Sequence, residues 1–222
     1  MKLVFRILAL FILVLPQLVK AQSSIELFNK NNLDNWYAYN AETGKHENAA
    51  ELFKVEQKMI RLYGPNAGYL MSKQSFQNFR LSAEYRWNTD STFTRKSDKK
   101  NSGLMYLVPI DTPDVLWPKG IQFQIKEGAT GDFVLLQEVT LQMNGQETEP
   151  GKSVAVPRME DATNPIGKWN SLIISFSNGK VKQELNGKLV NEGDAPSVSE
   201  GRILLQYEGY PIDFRNIVVE EL

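Results

Sequence analysis

The chain of 222 residues contains no cysteine. That excludes thiol nucleophiles, thiolate metal centres, a lipid-anchored cysteine and a disulfide framework, so the fold must stand on its core. There is a single histidine, His46. A multi-histidine metal cluster is therefore impossible within one chain. A Ser-His-Asp triad would have to use His46, which sits in the polar stretch Thr43-Gly44-Lys45-His46-Glu47-Asn48 and reads as exposed loop. Excess charge of one sign is also missing: 25 Lys and Arg face 26 Asp and Glu. Such a balance offers no footprint for nucleic acid or an anionic membrane. Any catalysis must rest on carboxylates, Arg, Lys, Tyr and amides.

Long hydrophobic runs are equally scarce. The one conspicuous run, residues 7–15, follows Lys2 and Arg6 and is broken by Pro16. It is too short to span a bilayer as a helix, and Val19-Lys20-Ala21 places small residues where a signal peptidase reads. Residues 1–21 are expected to be a signal peptide and residues 22–222 one exported domain, periplasmic or extracellular. Losing Lys2, Arg6 and Lys20 takes the formal charge from −1 to −4. A chain of this size buries roughly 70% of its unfolded surface, enough for a self-sufficient core.

What remains is dominated by alternation with a period of two. Phe79, Leu81, Ala83, Tyr85 and Trp87 fall on one face of a strand, with Arg80, Ser82, Glu84 and Arg86 on the other. Residues 121–126 repeat the scheme, setting Ile121, Phe123 and Ile125 against Gln122, Gln124 and Lys126. Residues 169–176 form a further strand, Asn178-Gly179 and Asn186-Gly187 mark hairpin turns, and residues 201–222 read as two strands joined by a tight turn at Gly209-Tyr210-Pro211. One short helix is expected over residues 48–53. Many antiparallel strands joined by Asn-Gly turns predict an all-β antiparallel sandwich of jelly-roll type. Residues 88–100, rich in Lys and Arg, and residues 144–168 are long enough to be binding loops.

The polar strand faces are unusual in kind. Solvated faces favour Thr, Ser and Lys, whereas these carry Glu84, Arg86, Gln122, Gln124, Gln206, Glu208 and Arg215. Amides, carboxylates and guanidinium groups supply the paired donors and acceptors that sugar hydroxyls need. Trp117, in a loop, suits the platform on which a sugar face packs, while Trp36, Trp87 and Trp169 fit core patterns. The bland alternative is an ordinary hydrated face.

Several motifs then occur in order: Leu27-Phe28-Asn29 with Leu33 and Trp36, Asn101-Ser102-Gly103, Ile121-Gln122-Phe123-Gln124-Ile125, Gly131-Asp132-Phe133, Trp169-Asn170, Leu185-Asn186-Gly187, Gly201 with Leu205-Gln206, and Phe214-Arg215-Asn216-Ile217. Together they resemble the 3-keto-disaccharide hydrolase family, whose fold is the concanavalin A-like lectin/glucanase sandwich. The resemblance implies action on glycosides oxidised at carbon 3, by hydrolysis or by elimination and hydration. The chemistry needs a base, donors for an enolate and an acid for the leaving oxygen. Glu208 and Glu84 are the candidate bases. Arg215, Arg86 and Lys126 are candidates to stabilise the oxyanion, and Asn101, Trp117, Gln122, Gln124 and Gln206 to bind substrate. Many relatives carry Glu at Gln122, Arg at Leu107 and His at Glu208. This reading fixes no cofactor and leaves a structural or catalytic divalent cation open, since such sandwiches often hold one. The polar face Gln122, Gln124 and Lys126 lacks the paired carboxylates of retaining glucanases. A non-catalytic carbohydrate-binding module and a cell-envelope interaction protein are the alternatives.

Overall fold

A computed structural model describes residues 23–222, so the expected leader lies outside the described residues. Two antiparallel sheets make up the molecule. The eight-stranded sheet runs Ser153–Val156, Phe133–Leu136, Gly120–Lys126, Asn101–Val108, Gly201–Tyr207, Gly68–Phe76, Trp36–Asn40 and Gly44–His46. The centre of the ten-stranded sheet runs Lys188–Asp194, Lys180–Leu185, Asn170–Ser177, Phe79–Trp87, Ile212–Glu221 and Met59–Leu62.

Alternation produces this arrangement directly. Phe79, Leu81, Ala83, Tyr85 and Trp87 are buried while the four residues between them stay half-buried, as their period predicts. They meet Leu104, Tyr106, Ile121, Phe123, Leu205 and Tyr207 of the facing sheet in one core. Hairpins at Asn178-Gly179 and Asn186-Gly187 have positive φ at every turn residue, the geometry that matches strand twist.

The C-terminal segment departs from expectation. Gly201–Tyr207 belongs to the eight-stranded sheet and Ile212–Glu221 to the ten-stranded one. Gly209-Tyr210-Pro211 is therefore a crossing between sheets, not a hairpin turn. The same turn chemistry serves both uses, and the faces of two different sheets decide between them. Further along, Phe214 and Ile217 are both fully buried despite their three-residue spacing, because the register shifts between Arg215 and Val218. That bulge puts Asn216 at φ 51°.

Other differences are local. The helix expected at residues 48–53 contracts to a 3-10 turn, Ala49–Glu51, capped by the Asn48 side chain, which accepts from the Ala50 N–H at 3.3 Å. Phe53 leaves the helical path to reach the core. Trp169 precedes its strand, which begins at Asn170, and is only half-buried, so it is not the core residue its pattern suggests.

Phe214→Ala removes a fully buried ring from the middle of this core. Urea unfolding should show a loss of about 3–5 kcal/mol; a loss under about 1 kcal/mol would mean the core collapses around the gap.

Candidate functional site

Glu208 stands at the sheet crossing, and its neighbours are held firmly. The Tyr207 hydroxyl lies 2.7 Å from the Gly64 carbonyl and 3.0 Å from that of Gly209, and accepts from the Gly64 N–H at 3.1 Å. The Gly209 carbonyl also accepts from the N–H groups of Lys96 and Ser97, at 2.9 and 3.2 Å. Gly209 has φ 130°, and a Cβ there would sit 3.0 Å from the Cβ atoms of Lys96 and Ser97. The basic loop of residues 88–100 is thereby laid against the crossing, where Arg95 and Lys100 pack over the Tyr210 ring at 4.9 and 5.2 Å.

A groove of about 460 Å³ opens beside Glu208, lined by Ser97, Lys99, Lys100, Asn101, Lys126 and Glu127. The Asn101 amide donates to Glu208 Oε2, and Trp117 Nε1 donates to Oε1 at 3.3 Å. Burial raises the Glu208 pKa above the usual carboxylate value, against the opposing pull of these two donors and the Lys126 charge.

The floor beyond Glu208 is made of amides. Gln122 and Gln124 project from Gly120–Lys126 on the face away from the core, and Gln206 projects the same way from Gly201–Tyr207. Gly103 lies on the strand between them, and the space its missing side chain leaves is filled by the Gln122 amide, whose Cδ would be 2.4 Å from a Cβ. Gln122 Nε2 donates to Gln124 Oε1 at 2.9 Å. Gln122 and Gln206 are 3% and 1% exposed, yet Gln122 Oε1, both polar atoms of the Gln206 amide and Asn101 Oδ1 have no partner. Buried polar atoms left this way cost about 1–3 kcal/mol each unless something fills the site.

A strap of residues 109–119 closes the rest of this face. Asp114 Oδ1 accepts from Tyr37 and Tyr69 at 2.7 and 2.6 Å, and Gln137 donates to the Trp117 carbonyl at 3.1 Å. Burial, with the Asp114 carboxylate second, pushes both phenols well above the usual tyrosine value, so they remain donors. Beneath lies a second hydrophobic cluster that includes Met71, Met105, Val108, Leu136 and Leu204. A larger cleft of about 760 Å³ lies between the strap and residues 197–200, and Glu208, Asn101 and Lys126 do not line it.

The structure thus brings Glu208, Asn101, Trp117, Gln122, Gln124, Lys126 and Gln206 to one face. Glu84, Arg86 and Arg215 are not among them. They project from the outer face of the other sheet, across the core, and Arg215 Nε instead donates to Glu84 at 2.6 Å. Their expected convergence with Glu208 is corrected: strand parity identifies an outward residue, but the sheet it belongs to decides which outside. Leu107 is buried in the core and cannot serve the groove.

Sequence reasoning placed Lys99 and Lys100 in a candidate binding loop and Gly103 in a motif without giving them a role in the site, and it missed Tyr37, Tyr69 and Asp114. His46 is not in exposed loop as expected: it ends the edge strand Gly44–His46, is half-buried, and lies 2.7 Å from Thr43 Oγ1 and 2.6 Å from Oε2 of Glu51 in the neighbouring 3-10 turn. Among the described residues no group of three or more His, Cys, Asp or Glu is placed to hold a metal.

Two antiparallel sheets, an amide floor and a half-buried carboxylate describe a β-sandwich with a polar site on one outer face. Residues 23–220 match the 3-keto-alpha-glucoside-1,2-lyase-like domain, and the chain belongs to that family. No curated protein matches it significantly. Among solved structures, it is similar to a Parabacteroides distasonis protein assigned as a glycosyl hydrolase, with 18% identity, TM-score 0.62, and coverage of 90% of this chain and 94% of that one. It is also similar to the carbohydrate binding module CBM66 from Bacillus subtilis, at 13% identity and TM-score 0.58, covering 84% and 96%. The Bacillus licheniformis β-glucanase follows at 13% identity and TM-score 0.56, covering 92% and 99%. These likenesses establish the fold.

Glu208→Gln tests the cost of the buried carboxylate. A raised folded pKa means the native state holds a proton longer than the unfolded chain, so stability is lost as pH rises from about 4.5, the unfolded value, through the folded pKa. The variant should melt at a higher temperature than the parent at pH 7–8, with the gap closing near the unfolded carboxylate pKa of about 4.5. An equal gap at every pH would show that burial does not act on the charge.

Proposed function

We propose that the groove cleaves 3-keto-glycosides by elimination, with water adding afterwards for net hydrolysis. One observation carries this: a carboxylate made more basic by desolvation shares a groove with Lys99, Lys100, Lys126 and Asn101. A ketone at carbon 3 acidifies the hydrogen on carbon 2. Glu208 takes that proton, and the electron pair moves into an enolate whose oxygen is met by the ammonium groups of the groove, Lys126 foremost. Collapse of the enolate forms the C1–C2 double bond and breaks the bond from carbon 1 to the glycosidic oxygen. That oxygen takes a proton from one of the lysine ammonium groups in the groove. Water then adds across the double bond, its hydroxyl to carbon 1 and its proton to carbon 2. The groove is small, about 460 Å³, which suits a disaccharide or small glycoside better than a polymer.

A non-catalytic binding reading is favoured by one feature, Trp117, 46% exposed at the groove rim as a stacking platform. The two readings separate cleanly. The protein should release sugar from a 3-keto-disaccharide and leave the unoxidised disaccharide intact. Glu208→Gln should lower kcat by about 10²–10⁴-fold with binding kept, and the acid limb of the parent's kcat/KM should lie above the usual carboxylate range. Absence of product from any 3-keto-glycoside, with sugar binding abolished by Trp117→Ala, would establish the binding module instead.

Export completes the proposal, supported by the composition of residues 1–21. N-terminal sequencing of protein recovered outside the cytoplasm should begin at Gln22; a product beginning at Met1 would overturn it.

A further inference from the structure

The outer face of the ten-stranded sheet carries what the groove lacks. Because of the bulge after Arg215, two successive residues, Arg215 and Asn216, both face outward. Together they grip Glu84, Arg215 Nε at 2.6 Å and Asn216 Nδ2 at 3.1 Å. The Nη atoms of Arg215 have no described partner. Arg86 is pinned from beneath by the fully buried Asp213, 3.0 Å from its Nε. Trp169 packs against both guanidinium groups, its ring centroid 3.9 Å from Arg215 Cζ and 4.7 Å from that of Arg86.

Arg86, Trp169, Arg215 and Asn216, with Lys30, Gln57, Lys58 and Met59, enclose a hollow of about 470 Å³ whose lining contains four cations and no carboxylate. Half of that lining is strained. Lys30, Gln57, Lys58 and Asn216 hold φ of 68°, 51°, 61° and 51°. Gln57 and Lys58 form the two-residue turn between Lys54–Glu56 and Met59–Leu62, where Asn-Gly is the favoured pair. Long polar side chains kept against backbone preference, and gathered at one hollow, mark a binding site better than a structural turn.

We propose that this hollow is a second saccharide site, taking a glycan that bears a carboxylate or sulfate group. Planar guanidinium groups held in place by Asp213 and Glu84 suit an oxyanion. The amides of Gln57 and Asn216 suit hydroxyls, and the Trp169 ring with the lysine stems suits the apolar side of a sugar. The site lies across the core from Glu208 and does not depend on the reaction there.

Calorimetric titration tests it with oligogalacturonate, a sulfated galactan oligosaccharide, a neutral malto-oligosaccharide of equal length and sodium sulfate. At least one acidic oligosaccharide should bind about tenfold or more tightly than the neutral one, and added salt should weaken it. Arg215→Ala and Trp169→Ala should each weaken binding by about tenfold. Lys58→Gly should weaken it several-fold while raising the melting temperature, since glycine relieves the turn. Binding should persist in Glu208→Gln. The proposal fails if no acidic oligosaccharide binds, if the neutral glycan binds as well, or if sodium sulfate alone binds as tightly. It also fails if binding survives the three substitutions or disappears in Glu208→Gln.

Discussion

The Gly209 carbonyl oxygen is the point on which the site depends. It gathers the Lys96 and Ser97 N–H groups and the Tyr207 hydroxyl at the place where the chain leaves one sheet for the other. A sheet crossing exposes backbone groups that neither ladder can satisfy, and here a loop and a core tyrosine supply the partners. The consequence reaches the chemistry. Glu208, between Tyr207 and Gly209, is fixed at both ends, and the loop that satisfies Gly209 delivers Lys99 and Lys100 to the same groove. Stability of the crossing and placement of the candidate base are one arrangement.

Parity explains both what could be read in the sequence and what could not. The alternation in Phe79–Trp87 and residues 121–126 marks core and outer faces because each strand buries only one side. Even the bulge near Phe214 and Ile217 shows, as a break in alternation. Gln122, Gln124, Gln206 and Glu208 could thus be recognised as outward-facing, and they share a face. Glu84 and Arg215 look the same by that criterion and stand on the other side of the molecule. Nothing local distinguishes the cases, since sheet membership is set by long-range pairing: Ile212–Glu221 with Phe79–Trp87, and Gly201–Tyr207 with Asn101–Val108. The strap was invisible for a related reason. Asp114 meets Tyr37 and Tyr69 across 77 and 45 residues of sequence.

The two outer faces have been put to different physical uses. On one, a sheet face that would ordinarily meet water buries Gln122 and Gln206, whose amides are left with unsatisfied atoms in a low-dielectric setting, beside a half-buried Glu208. There a carboxylate gains basicity and an amide gains strength as a donor toward developing charge. The opposite face stays wet, and its guanidinium groups keep their charge because Asp213 and Glu84 orient them while solvent carries much of the desolvation cost.

That contrast bears on how the fold divides its functions. Moving a proton calls for an enclosed carboxylate with a shifted pKa, and enclosure demands a cover such as residues 109–119. Holding a charged ligand calls for fixed donors at an open surface, where binding and release need no cover to move. A two-sheet sandwich provides both environments because its sheets share only the core. A change in the strap therefore alters the Glu208 groove without touching Trp169, and a change at the Gln57-Lys58 turn does the reverse. The coupling between the faces runs through Ile212–Glu221 and its bulge, where Phe214 and Ile217 fill the core beneath the residues that aim Arg215 outward.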